Sequence, residues 1–139
     1  MSLVLTQEGA KFCLQKTLDI QGSQNLYCHL FGQAYAPLHT DTLSIFVAKE
    51  LPPTGGYAVM QLANPSANWT FAPVSQGEQA TYVPLSWTFT AALVVYGYWL
   101  SWDNAGVSWY AEEFGVYYQF PPSGGIFTLS LPPYLISTP

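Results

Sequence analysis

Six residues constrain the fold of this chain more than any others. In Leu85-Ser86-Trp87-Thr88-Phe89-Thr90, large apolar and small hydroxyl side chains alternate without a break. Successive side chains of a strand point to opposite faces, so this pattern puts every apolar group on one side and every hydroxyl on the other. A helix would scatter the same residues around its axis. The chain therefore contains a strand that is buried on one face and wet on the other.

Period two recurs elsewhere. Leu26, Cys28 and Leu30 alternate with Tyr27, His29 and Phe31, which predicts a strand covered on both faces. Val94 to Trp102 is a near-continuous apolar run and suits a central strand. Asp103-Asn104-Ala105-Gly106 has the chemistry of a four-residue hairpin loop, with Val107 to Phe114 as the return strand. Counting outward from that loop pairs Trp102 with Val107, Leu100 with Trp109 and Tyr98 with Ala111 on the core face. Trp99 then meets Tyr110, and Gly97 meets Glu112, on the other face. The register predicts that Leu100 and Trp109 are both buried and touch.

Shorter strands are expected over Tyr57 to Leu62, Thr70 to Val74, Ala80 to Val83 and Ile126 to Leu131. Between them lie Pro52-Pro53, Gly55-Gly56, Asn64-Pro65-Ser66, a Ser-Gln-Gly-Glu loop, Pro121-Pro122-Ser123-Gly124-Gly125 and Pro132-Pro133. Only one segment has a clear helical period. Thr6 can cap a helix that begins at Gln7, with Glu8 in its first turn, and Ala10, Cys13, Leu14, Thr17 and Leu18 form one apolar stripe. Asp41 to Ala48 reads as a short helix or a turn. The fold class is mainly β, an antiparallel β-sandwich with a short N-terminal α-helix. A chain of 139 residues suggests one domain, with the helix over 6–19, the sandwich over 24–131 and a loose tail over 132–139.

Charge narrows the function classes. Only 8% of the residues are charged, against about 25% in an ordinary soluble domain. A surface so poor in charge is sticky, and an assembly can bury it against neighbours; the alternative is a surface carried by Ser, Thr, Gln, Asn and Tyr. The net charge is −5, there is no Arg, and the bases are Lys11, Lys16 and Lys49. Phosphate neutralisation needs a basic stripe, so nucleic acid is not an expected partner. No stretch reaches the roughly 20 apolar residues of a membrane helix, and no membrane contact is expected. The N-terminus has neither the basic nor the apolar region of a signal peptide. Cys13 and Cys28 make neither a disulfide framework nor a zinc site, and two buried thiols are expected. Asn68-Trp69-Thr70 matches a glycosylation sequon by chance in such a context.

Catalytic chemistry finds few candidates. His29 sits in a strand and His39 in a loop near Asp41, and neither has a local nucleophile partner, although a long-range one would escape a sequence. Glu112 and Glu113 are adjacent on a strand, so they point to opposite faces and cannot serve one glycosidic bond together. No catalytic, metal or cofactor residues are expected. The aromatic residues, 17% of the chain, exceed the needs of one core. Trp99 and Tyr110, on the outer hairpin face, form with Trp102, Tyr117 and Tyr118 the candidate interface, because Tyr and Trp bury area at low entropic cost. A second sandwich layer and a sugar-stacking platform are the other roles open to them.

The hairpin also carries a resemblance. Trp87-Thr88-Phe89-Thr90-Ala91-Ala92, then Val95-Tyr96-Gly97-Tyr98, then Trp109-Tyr110-Ala111-Glu112-Glu113-Phe114 resembles a group of small structural proteins of tailed phages. These read roughly W-T-F-T-A, V-Y-G-Y, an acidic turn and L-W-A-E-x-F. Leu26-Tyr27-Cys28-His29-Leu30-Phe31 and Thr42-Leu43-Ser44-Ile45-Phe46 are similar to the same group. Tyr110 and Glu113 add bulk and charge to its pattern, and the C-terminal tail departs from it. The resemblance implies a non-enzymatic virion component assembled in the host cytoplasm. As a capsid decoration or cement protein it would bind the major capsid protein and copies of itself. A tail, baseplate or fibre protein, and a carbohydrate-binding module for host attachment, share the same features.

Overall fold

The computed structural model describes residues 26–38, 40–62, 68–75, 77–102 and 108–137. The expected helix over 6–19, Cys13, His39 and the hairpin loop lie outside them. The described chain is mainly β, and its strand pairs are antiparallel. It folds as two compact units. One comprises the described residues within 26–62 and 86–128, and the other includes the described residues within 68–85 and 129–137.

The larger unit is built on a four-stranded sheet. Its strands are β1 (Leu26–Phe31), β2 (Met60–Leu62), β6 (Leu93–Trp102) and β7 (Ser108–Phe120), in the order β2-β1-β6-β7. As the sequence suggests, β1 is covered on both faces, and only Tyr27 is less than fully buried. Where β2 stops, residues 49–51 continue along the same edge of β1: the Gly32 N–H donates to the Lys49 carbonyl and the Leu51 N–H to the Leu30 carbonyl. Of the short helix or turn expected over Asp41 to Ala48, the structure has the helix, α1 (Leu43–Val47), which buries Phe46. Phe46, Phe31 and Trp99 form one aromatic cluster, with Tyr35, Leu43, Tyr96 and Ala111 packed against it.

A second, two-stranded sheet pairs β5 (Leu85–Phe89) with β8 (Gly125–Leu129). Strand β5 alternates buried and exposed as its sequence demands. On its wet face Ser86 and Thr128 join hydroxyls at 2.9 Å. On its dry face Phe89 and Phe127 stack, and Phe127 meets Tyr118 and Phe114 of the first sheet at 5.2 and 6.2 Å. Trp87 donates its indole N–H to the Ala58 carbonyl at 2.8 Å, which satisfies a polar atom that its burial would otherwise strand.

The smaller unit carries β3 (Trp69–Val74), β4 (Gly77–Tyr82) and β9 (Tyr134–Ser137) in the order β3-β4-β9. The expected loose tail is thus corrected: after Pro132-Pro133 the chain returns as a strand and pairs with β4 from Gly77 to Ala80. Trp69 packs edge-on against Tyr82, whose hydroxyl accepts from the Asn68 side chain at 3.2 Å.

The hairpin register is corrected by one residue. Ser101 faces Ser108, as counting from the loop requires, but Leu100 then faces Tyr110, Trp99 faces Ala111, Tyr98 faces Glu112 and Gly97 faces Glu113. Trp109 is the extra residue of a bulge between Leu100 and Ser101, and a bulge shifts every pair beyond it. Leu100 is fully buried, but Trp109 is not its partner; the side chains of Trp102 and Trp109 lie outside the described set. A second irregularity sets Phe114 to Tyr117 against Tyr96 alone. Of the two hairpin strands only β6 is central, while β7 is the edge of its sheet.

Candidate functional site

Two features of the larger unit bear on function. The first is a buried polar network that runs through β1, β6 and the segment after α1. The pairing of Tyr27 with Ser101 and His29 with Trp99 puts His29 and Ser101 on one face, diagonally across the strands. The bridge of Phe31 to Glu50 brings a carboxylate to the same face. His29 Nε2 lies 2.8 Å from Ser101 Oγ, and Nδ1 lies 3.0 Å from Glu50 Oε1. An ionised Glu50 can only accept, so Nδ1 carries the proton and Nε2 of a neutral ring accepts from the Ser101 hydroxyl. The Tyr57 hydroxyl donates to Glu50 Oε1 at 2.7 Å and accepts from the Leu30 N–H at 3.1 Å. Burial, and then the hydrogen bond to Glu50, hold the Tyr57 hydroxyl protonated well above the usual phenol range. Trp99 stacks on the His29 ring at 4.5 Å, and its own indole N–H has no hydrogen-bond partner among the described residues.

Ser101, His29 and Glu50 are connected as a nucleophile, a base and an orienting carboxylate. Their burial opposes that use. Ser101 is 0% and His29 3% exposed, and a nucleophile has to reach a substrate carbonyl. In this state the network satisfies polar groups inside a packed sheet. Glu112 is separate from it and accepts from the Tyr98 hydroxyl at 3.1 Å. Among the described residues, no group of three His, Cys, Asp or Glu is placed to hold a metal ion, and no helix is long and apolar enough to cross a membrane. Cys28 is a free, buried thiol, and burial pushes its ionisation far up.

The second feature is the outer strand β7. Of the residues expected at an interface, Tyr110, Tyr117 and Tyr118 are exposed. Trp99 is corrected: it is fully buried, because Tyr35, Leu43 and Phe46 pack over the face of the sheet that the hairpin alone would leave open. Trp102 has no described side chain. Sequence reasoning missed Val116, which is 78% exposed beside Tyr117 at 53% and Tyr118 at 51%. The three are consecutive, and Gly115 and Gln119 flank them, also exposed. The signal was present: Phe114 to Phe127 holds no charged residue. Tyr117 leans on Tyr96 at 5.4 Å, and Tyr118 meets Phe114 edge-on at 5.4 Å, so the exposed rings are braced from below.

Comparison with known proteins adds no assignment. No family model, no curated protein and no solved structure matches the chain.

Proposed function

We propose that this protein is a structural component of a tailed-phage virion, a capsid decoration or cement protein that binds the major capsid lattice and other copies of itself. The observation that carries the reading is the uncharged, exposed run Val116-Tyr117-Tyr118 on an edge strand, in a chain with only 8% charged residues. Large exposed apolar groups without surrounding charge mark an interaction surface. The resemblance of the hairpin motifs supplies the virion. Among the described residues, the constellation with catalytic connectivity has its Ser101 and His29 buried in the sheet, and this favours binding over turnover.

Copy number and position in the particle test the reading. Quantitative mass spectrometry and imaging of purified virions are expected to find the protein in hundreds of copies on the head, as a lattice ligand requires. A handful of copies at one vertex or along the tail would replace decoration with the tail, baseplate or fibre reading. Specific binding to a glycan array would favour host attachment through Tyr110, Tyr117 and Tyr118, since exposed rings also stack on sugars.

A further inference from the structure

We infer that the outer edge of β7 pairs antiparallel with β7 of a second copy, about a twofold axis near Tyr117. The inference rests on the reading of this protein as a self-associating structural component and names the contact. Strand β7 spans 13 residues and ends its sheet. Among the described residues, no strand pairs with its outer side. An open edge offers a row of unpaired N–H and C=O groups, and soluble proteins usually blunt such edges with Lys, Pro or inward-pointing charge. The middle of this one carries none of the three. A bulge can also blunt an edge, and the irregularity that sets Phe114 to Tyr117 against Tyr96 lies on the inner side of β7; residues 114–120 remain strand and carry no charged side chain.

The sequence of the edge favours its own copy in one orientation. With the axis at Tyr117, Val116 of each copy faces Tyr118 of the other, Phe114 faces Phe120, and Gly115 faces Gln119. A β-branched residue opposite an aromatic is a favourable cross-strand pair, and here it occurs twice by symmetry. The same operation sets Glu113 against Pro121 and Glu112 against Pro122. The prolines have no N–H to offer, so the ladder ends before the acids, and the carboxylates of the two copies stay apart. A parallel pairing would stack Glu112 and Glu113 on themselves, in chains that already carry −5 each.

Sedimentation and cross-linking test this. The parent is expected to dimerise with rising concentration. Val116→Lys, at a site exposed enough to accept a lysine, is expected to lose the dimer while keeping the parent's circular dichroism. Tyr117→Cys places two thiols beside the axis and is expected to give a covalent dimer on mild oxidation. Val83→Cys, exposed on the smaller unit, is the control and is expected not to. A parent that stays monomeric, a Val116→Lys variant that still dimerises, or a Tyr117→Cys variant that cross-links no better than the control overturns the pairing. If monomers nevertheless decorate heads, the virion reading survives without the edge contact. A β7 dimer absent from virions keeps the contact and removes the virion reading.

Discussion

His29 is held by groups that lie far apart in the chain: Glu50 is 21 residues away and Ser101 is 72. This is why sequence alone recognised the histidine and missed its partners. No local spacing encodes a contact that strand pairing and a crossing segment create. Trp99 was legible in part. The run Val94 to Trp102 already implied a central strand, and a central strand covered on both faces leaves no outer position for an indole. At this scale two outcomes are expected. Ser101→Ala leaves His29 Nε2 buried without its donor, at a cost of about 1–3 kcal/mol; a denaturant midpoint and slope equal to the parent's would show that the hydroxyl contributes nothing. Cys28 has its ionisation raised by burial, as does Tyr57. The folded chain then holds both protons while the unfolded chain releases them. That contribution is whole below the ordinary thiol and phenol ranges, declines as pH rises past them and is gone once pH reaches the raised values of the folded chain. A native thiol titration with a disulfide reagent is expected to leave Cys28 unmodified until denaturant is added; rapid modification in the folded protein would contradict its burial.

Elements were more legible than their register. Strand β5 follows its alternation residue by residue, and Phe127, Leu129 and Leu131 are all buried on the side their spacing indicates. In the hairpin, counting from the loop holds at Ser101 and Ser108 and fails one step later at the Trp109 bulge, which no turn residue announces. The return strand also runs on to Phe120, past the Phe114 where its alternation fades. Two glycines test the observed register. At Gly97 an added methyl would overlap the Glu112 carbonyl oxygen and press on Glu113 Cα and the Phe31 ring at 2.9 and 3.0 Å. Backbone cannot yield there, so Gly97→Ala is expected to destabilise by about 3 kcal/mol or more. At Gly115 nothing lies within 4 Å of the added methyl. Gly115→Ala is expected to be neutral or to stabilise by about 0.4–1 kcal/mol, by restricting the unfolded chain. Thermal melts of the two variants check both, and equal melting temperatures would refute this placement of β7 against β6.

At the scale of the whole molecule the governing fact is the mismatch between charge and exposed apolar surface. Eleven charged side chains, three basic and eight acidic, serve 139 residues, while β7 presents an uncharged aromatic run to its surroundings. Such a surface is a liability for a free chain and an asset for a lattice ligand. A protein that binds only the assembled lattice stabilises it by mass action. Because few charges take part, the effect is expected to persist at high salt. The most direct measurement of the proposed cement role is the temperature at which phage heads release their genome, compared among intact particles, particles stripped of this protein, and stripped particles to which it has been added back. Stripped heads are expected to open at lower temperature, and re-addition is expected to restore them. Stripped heads that withstand heat as well as intact ones, on particles that no longer adsorb to cells, would contradict the cement role and assign the protein to host attachment.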